Sequence, residues 1–387
     1  MRKLKIVIIS RIVYPSLSPR SQRTTELAKE FARQGHNVSV YAVLGGYNYS
    51  SFESETGVKI YNIGKMLLGS SDSDGNHRYT LIDKVLYHTL HRLIEYPDIE
   101  LMFRIPKIIR KEKNTDLLIS IAYPHPIHWG AALAKAILSK NAFPKIWISD
   151  CGDPYMGDPI NKKKFCYFKF IERWWSRNTD YITIPLEEGK DGYYQDFHSK
   201  IKVIPQGFNF SEVKVALPFV VNEVPTFAYA GSIYPGKRDP KSFLDFLITL
   251  NMDFRFIIYT NTPEYYDPYK TNLKDKLIIK HYVSRQQLIF ELSKMSFLIN
   301  FKNPSNIQLP SKLIDYLLTF RPIMDVSKDF SLKERDTFRE FLCGNYINQL
   351  KGFDMEQFNI KNVAQKFIDL YNESRIVDWK ELKLSQK

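Results

Sequence analysis

Short runs of consecutive apolar residues alternate along this chain with longer stretches in which apolar positions recur every three or four residues. In the first half the runs lie at 4–10, 37–43, 116–122, 145–150, 180–184 and 201–205, and the helical pattern at 22–34, 129–139, 162–178 and 186–197. Unbroken apolar runs suit strands buried on both faces. Their alternation with helices predicts a parallel sheet with helices on both sides. In the first helix Leu27, Ala28, Phe31 and Ala32 share one face, and Gly35 supplies a residue suited to a left-handed cap before the next strand at Asn37. The preceding stretch, "RIVYPSLSPRS", reads as a loop.

The segment 206–225 has no helical period and carries Pro218 and Pro225, which predicts a crossing between domains. The alternation then restarts, with strands at 226–231, 254–259, 277–282, 296–301 and 322–326 and helices at 241–250, 285–294 and 311–319. A last helix at 361–372 precedes an amphipathic tail. The reading is therefore α/β with two Rossmann-like domains: 1–205, joined by the tail 373–387 packing back on it, and 226–372. In open α/β sheets ligands bind beyond the carboxyl ends of the strands, so two such sheets are expected to face one another across a ligand cleft.

At 387 residues and 44% hydrophobic, the chain can bury two cores. The 55 Lys and Arg against 42 Asp and Glu leave a formal charge of +13, which favours anionic ligands without choosing among them. Cys151, Cys166 and Cys343 lie far apart with no CxxC or histidine pairing, so neither a disulfide framework nor a zinc site is indicated. With no apolar leader and no run of 18 apolar residues, the expected location is cytoplasmic, at most on a membrane surface.

Two stretches carry chemistry. In "YAGSIYPGKRDP" Gly231 ends a strand, Pro235-Gly236 makes a turn, and Lys237 and Arg238 stand before the next helix. Cations at the positive end of a helix suit a diphosphate. A surface turn with two solvated cations explains the same residues. In "QLPSKLIDYLLTFRPI" the helix start at Pro310-Ser311 offers free N–H groups, and Asp315 one turn on can accept from ribose hydroxyls; a plain helix cap is the alternative.

Taken in order, "KIVIIS", "RTTELAKEFARQGHNVSVY", "KVIPQGFN", "YAGSIYPGKRDP", "VSRQQLIFELSKMSFLINF" and the "PSKL" helix resemble the GT-B glycosyltransferases of family 4, in the bacterial branch with a PSKL-x-[DE]-Y helix. The resemblance spans essentially the whole chain. It implies a retaining, metal-independent transfer from a nucleotide-diphosphate sugar, with no other cofactor, to a glycan or polyprenyl-diphosphate-linked acceptor in bacterial surface polysaccharide synthesis. It also implies that Arg238 and Lys237 face the diphosphate, with Gly231 and Ser232 in the donor loop and Gln308, Ser311, Lys312 and Leu313 at the helix start. Asp315 takes the ribose-binding position, and Tyr282 and Val283 lie by the base.

Two departures from the family stand out. The first loop has "SPRSQR" where many members carry two glycines, so Arg20 and Arg23 are expected to contact the donor through side chains. The strand ending "ISDCGDPYM" lacks the histidine common there and offers Asp150 and Asp153, either as hydroxyl-orienting residues or as a structural turn; His125 in "YPHPIH" is an active-site or a turn residue. A sugar-nucleotide epimerase of the same fold is the alternative function, followed by a non-enzymatic two-lobed binding protein. No GxGxxG turn favours a dehydrogenase, and no motif favours nucleic acid. On a helical wheel of 161–177 the side chains of Tyr167, Phe168, Phe170, Ile171, Trp174 and Trp175 share an arc flanked by Lys169, Arg173 and Arg177. That arc either rests on the inner face of the cytoplasmic membrane or packs as core.

Overall fold

The computed structural model describes residues 2–16, 18–67, 81–157, 164–219, 221–233, 239–302, 311–352 and 354–384, without the side chains of 81–84, 86, 311, 312 and 375–384. The chain divides into a first unit, Met1–Phe208 with Gln357–Lys387, and a second, Asn209–Glu356.

In the first unit the strands are β1 (Lys5–Ile9), β2 (Asn37–Ala42), β3 (Lys59–Asn62), β4 (Leu117–Ile121), β5 (Ile146–Asp150), β6 (Tyr181–Ile184) and β7 (Ile201–Val203). They form a seven-stranded sheet, parallel throughout, in the order β3-β2-β1-β4-β5-β6-β7. Its helices before the crossing are α1 (Pro19–Arg33), α2 (Ser50–Thr56), α3 (Leu81–Ile94), α4 (Glu100–Lys111), α5 (Pro126–Ile137) and α6 (Phe168–Asn178). The unbroken apolar strands are buried on both faces. Ile6 and Ile8 join Leu27 and Phe31 on one side of the sheet, and Val7 and Ile9 join Trp129 and Trp147 on the other.

The second unit holds β8 (Thr226–Ala230), β9 (Arg255–Tyr259), β10 (Leu277–Lys280), β11 (Phe297–Phe301) and β12 (Ile323–Val326). These pair in parallel in the order β10-β9-β8-β11-β12. Its helices are α7 (Lys241–Thr249), α8 (Asp267–Leu273), α9 (Arg285–Leu292), α10 (Ser311–Leu317) and α11 (Leu332–Leu342). One face of this sheet is packed with phenylalanine. The Phe227 ring lies 4.8 Å from Phe256, 4.9 Å from Phe297 and 5.3 Å from Phe338, centroid to centroid.

The structure departs from the sequence reading at several points. Between 44 and 115, where the pattern predicts nothing, it places α2, β3, α3 and α4; β3 is an exposed edge strand and so lacks an apolar run. The helix expected at 186–197 is two 3₁₀ segments, Glu187–Gly192 and Gln195–Lys200, since Gly189 and Gly192 disfavour a continuous helix. The crossing at 206–225 is tied down in the second unit, where Ala216 N donates to Ser293 Oγ at 2.8 Å and Asn222 Nδ2 to Lys294 O at 3.0 Å.

The last helix, α12 (Ile360–Leu384), is continuous with the expected tail and lies in the first unit from its start, so 361–372 does not close the second domain. The reason is its apolar face. Val363, Ala364, Phe367 and Ile368 join the core with α1, and a Cβ at Gly207 would meet the Ile360 side chain at 2.5 Å, so the returning helix needs a glycine there.

The arc on α6 is mostly core. Phe168 and Trp175 are buried and Ile171 and Trp174 pack against the same cluster, leaving Phe170 exposed together with Tyr167. Residues 161–163 of that stretch lie outside the described residues.

Removing the ring at the centre of the second sheet's aromatic face should be costly. Phe227→Ala is expected to lower stability by about 3–5 kcal/mol, read as a shifted urea midpoint of the intact chain. A loss below about 1 kcal/mol would contradict this account of the core.

Candidate functional site

The first site forms where the strand order of the first sheet reverses. β1 leads outward to β2 and β3, whereas β4 sits on the other side of β1, so the loops leaving β1 and β4 diverge and open a crevice. A cavity of about 570 Å³ occupies it, lined from the loop after β1 by Arg11, from the start of α1 by Arg20, from the loop after β4 by Tyr123 and His125, and from the loop after β5 by Asp153 and Tyr155.

α1 begins at Pro19, three residues before the periodicity indicated. Ser18 caps it, its side chain accepting from Ser21 N at 3.3 Å, and Pro19 takes a first-turn position where its missing N–H costs nothing. Arg20 and Arg23 therefore stand in the first turns of a helix, not in a loop, and they face different surroundings.

Arg23 is buried and its guanidinium makes four hydrogen bonds. Nε donates to Asp150 Oδ2 at 3.1 Å, Nη2 to Asp150 Oδ1 at 2.8 Å and to Ile204 O at 3.2 Å, and Nη1 to Pro205 O at 2.5 Å. Asp150 also accepts from Thr183 Oγ1 at 2.7 Å. Burial would raise the Asp150 carboxyl, but the charge and hydrogen bonds of Arg23, helped by Arg20 and Thr183, hold it below its ordinary range. The sequence reading gave Arg23 to the donor and Asp150 either to a substrate hydroxyl or to a structural turn. The structure instead pairs them with each other, because the end of β5 and the first turns of α1 converge there.

Arg20 is different. Its guanidinium lies over the backbone of Gly152, where a Cβ would stand 1.3 Å from Nη2, and it makes no hydrogen bond or ion pair among the described residues. The other two cations of the pocket are matched. Arg11 Nε meets Asp98 Oδ1 at 2.7 Å, and Lys164 Nζ meets the buried Glu95 at 2.5 Å while lying 3.7 Å from the centre of the Tyr155 ring. Tyr155 donates to the same Glu95 oxygen at 2.9 Å.

His125, at the N-terminus of α5, is buried. Burial, reinforced by His128, Lys164 and Arg20, holds its pKa well below the usual range, so the ring is neutral. It bonds the Asp153 backbone, and Nδ1 has no partner. Beneath it burial lowers His128 to about 3; Nδ1 shares a 2.8 Å hydrogen bond with Ser120 Oγ, and Nε2 lies 3.3 Å from Cys151 Sγ. Asp153 is exposed on the rim. Glu172 on α6 supports the wall from behind: it accepts from Met156 N at 3.5 Å, and burial pushes its pKa up to about 7.

The second unit repeats the design. Its strand order reverses between β8 and β11, so the loops of interest follow those strands. Gly231 ends β8 with φ +146°, a conformation side chains rarely adopt. Ser232 Oγ donates to Asn261 Oδ1 at 3.0 Å and lies 3.2 Å from the Tyr282 hydroxyl, so the carboxyl ends of β8, β9 and β10 are joined by a polar chain. α10 is held to the end of β8 by Tyr316, whose hydroxyl accepts from Ala230 N at 2.6 Å.

Leu313 is buried and Val283 packs against the same cluster, so neither presents polar chemistry. Asp315 is paired with Arg285, Nε to Oδ1 at 2.7 Å; burial raises its pKa and Arg285 opposes the rise. Ser311 and Lys312 form the first turn of α10. Lys237, Arg238 and Gln308 lie outside the described residues. Sequence reasoning missed Tyr123, Lys164, Arg285 and Asn261. Only Arg285 carried a local signal, standing directly after the helix cap Ser284. Among the described residues no three His, Cys, Asp or Glu side chains form a group that could hold a metal ion.

A family model of Glycosyltransferase Family 4 matches residues 21–212. No curated protein matches the chain by sequence. Among solved structures, a glycosyltransferase from Rickettsia africae aligns with TM-score 0.58 and 13% identity over 98% of this chain and 99% of its own. HepE from Anabaena, solved in complex with UDP and glucose, aligns with TM-score 0.56 and 10% identity over 96% of this chain and 100% of its own. A UDP-GlcNAc 2-epimerase from Neisseria meningitidis bound to UDP-GlcNAc gives TM-score 0.56 and 11% identity over 96% and 100%. The two parallel-sheet α/β units are those of the GT-B fold, and the family match with these neighbours supports a glycosyltransferase.

Two outcomes test this description. Asp150→Asn should destabilise the protein by about 3–5 kcal/mol in urea titration, because it strands the buried Arg23 charge, whereas Arg23→Met with Asp150→Leu should regain most of the loss; a harmless Asp150→Asn would free that carboxylate for substrate. Glu172 makes a pH-dependent case. Between its ordinary 4.5 and its folded value of about 7 the native state keeps a proton that the unfolded chain has released, so stability falls as pH rises through that window. Glu172→Gln should therefore melt higher than the parent at pH 8, by up to about 3 kcal/mol, and gain little at pH 5.

Proposed function

We propose that this protein is a retaining glycosyltransferase that moves a sugar from a nucleotide-diphosphate donor to a glycan or polyprenyl-diphosphate-linked acceptor, in synthesis of a bacterial surface polysaccharide. The observation that carries the reading is the pair of switch-point sites, one in each sheet. The second supports a donor reading through its glycine strand end, the Ser232–Asn261–Tyr282 chain and the helix start of α10. The first offers a pocket with a free cation, a neutral histidine and a rim carboxylate. The family match over residues 21–212 supports the activity.

In this reading Arg238 and Lys237, with the start of α10, stabilise the charge that develops on the diphosphate as the sugar–phosphate bond ionises. Cations and helix N–H groups supply that stabilisation without a metal. The leaving phosphate takes the acceptor proton, and Asp153, rather than the paired Asp150, orients a hydroxyl. Asp315, set by Arg285, accepts from ribose. A contact with an anionic membrane surface rests on the exposed Phe165, Tyr167 and Phe170 beside Lys169 and Arg173. No helix among the described residues is long and apolar enough to cross a membrane.

The epimerase among the structural neighbours keeps a second reading in view. Product analysis separates the two: a transferase forms glycoside only when acceptor is added, and an epimerase converts the nucleotide sugar alone. Arg238→Ala should lower kcat/KM by about 30- to 1,000-fold, with kcat falling as well, since the lost contact strengthens in the transition state. Near-normal kcat/KM in a correctly folded variant would remove Arg238 from the site.

A further inference from the structure

We propose that the pocket of the first unit takes a saccharide bearing an anionic group, a carboxylate or a phosphate, seated on Arg20. This rests on reading the first unit as the acceptor side, and it names the acceptor's chemistry.

The argument starts from charge matching. Among the described residues three cations line the pocket, and two are neutralised within hydrogen-bond distance: Arg11 by Asp98 and Lys164 by Glu95. Arg20 is left over. Asp150 is near enough to feel its charge, but both carboxylate oxygens already accept, from Arg23 and Thr183. Asp153 is exposed on the rim and forms no ion pair among the described residues. An unmatched guanidinium in a concave wall draws in an anion, and its planar fork fits two oxygens of a carboxylate or phosphate. The positive end of α1, on whose first turn Arg20 stands, adds to the attraction.

The position is also built. Gly152 leaves room for the guanidinium, which a Cβ at that position would overlap. The rest of the wall suits a sugar ring. The half-exposed Tyr123 offers an aromatic face and Asp153 a hydroxyl acceptor, with the buried His125 ring closing the wall behind them. The volume of about 570 Å³ falls inside the range of small-ligand pockets, roughly 300–1,000 Å³.

The test is calorimetric binding to the full chain with no nucleotide sugar present, using glucuronate, glucose 6-phosphate, glucose, inorganic phosphate and UDP. One or both charged sugars should bind about 10- to 100-fold more tightly than glucose, the ratio that one charge-assisted contact supports. Arg20→Ala should erase that preference and Arg20→Lys should keep part of it, with circular dichroism unchanged. Gly152→Ala, which displaces the guanidinium without removing it, should weaken the charged sugars as well. Equal binding of glucose and both charged sugars, or no binding by either charged sugar, overturns the proposal. So does inorganic phosphate binding as well as the hexose phosphate, or an Arg20→Ala defect confined to UDP, which would return Arg20 to the donor. Because no turnover is read, these failures leave the transferase reading standing; that reading falls only with the product analysis.

Discussion

The buried pair of Arg23 and Asp150 is the constraint around which the first unit is arranged. One guanidinium ties the second turn of α1 to the end of β5 and to the carbonyls of Ile204 and Pro205, and its carbon lies 5.3 Å from the centre of the Phe367 ring on α12. Four stretches of chain, far apart in sequence, thus meet at one charge. Two buried charges cost more in desolvation than their attraction returns unless nearly every donor and acceptor is used. Here they nearly all are, and the crevice rim is held in one arrangement as a result.

That arrangement separates two arginines three residues apart. Both lie in the first two turns of α1, only about 60° apart around the helix axis and about one turn apart along it, so it is the tertiary surroundings that part them. Arg23 points into the structure and is consumed by it. Arg20 points into the pocket and is not. The neutral histidines follow from the same burial, which holds His125 and His128 unprotonated, with Lys164 and Arg20 adding to the effect at His125, so both act as hydrogen-bonding groups rather than charges.

The two sheets solve the placement of a site in the same way. A parallel sheet whose strand order reverses leaves a gap between diverging loops at the carboxyl ends, and backbone groups there are free of the ladder. In the first sheet the gap is furnished with charged and aromatic side chains. In the second it is furnished with a glycine, hydroxyls and an amide, with Tyr316 bracing α10 against β8. The polar chain at β8, β9 and β10 suits many hydroxyl contacts, whereas the Arg20 pocket suits one charged contact.

The apolar runs by themselves determined the central strands, their parallel arrangement and the existence of two sheets, because a strand buried on both faces must be continuously apolar wherever it sits. The places of Gly231 just after a strand and Asp315 one turn into a helix were likewise legible, since glycines mark strand ends and proline with serine marks a helix start. Tertiary structure alone decided the rest. The edge strand β3 and helices α2 to α4 carry mixed patterns because they are half solvated. Helix α12 belongs to the first unit because its apolar stripe finds α1, a partner more than 300 residues away. No local pattern distinguishes an arginine that will meet a buried aspartate from one that will not. Asp150 lies 127 positions from Arg23, and only folding sets that distance to 2.8 Å.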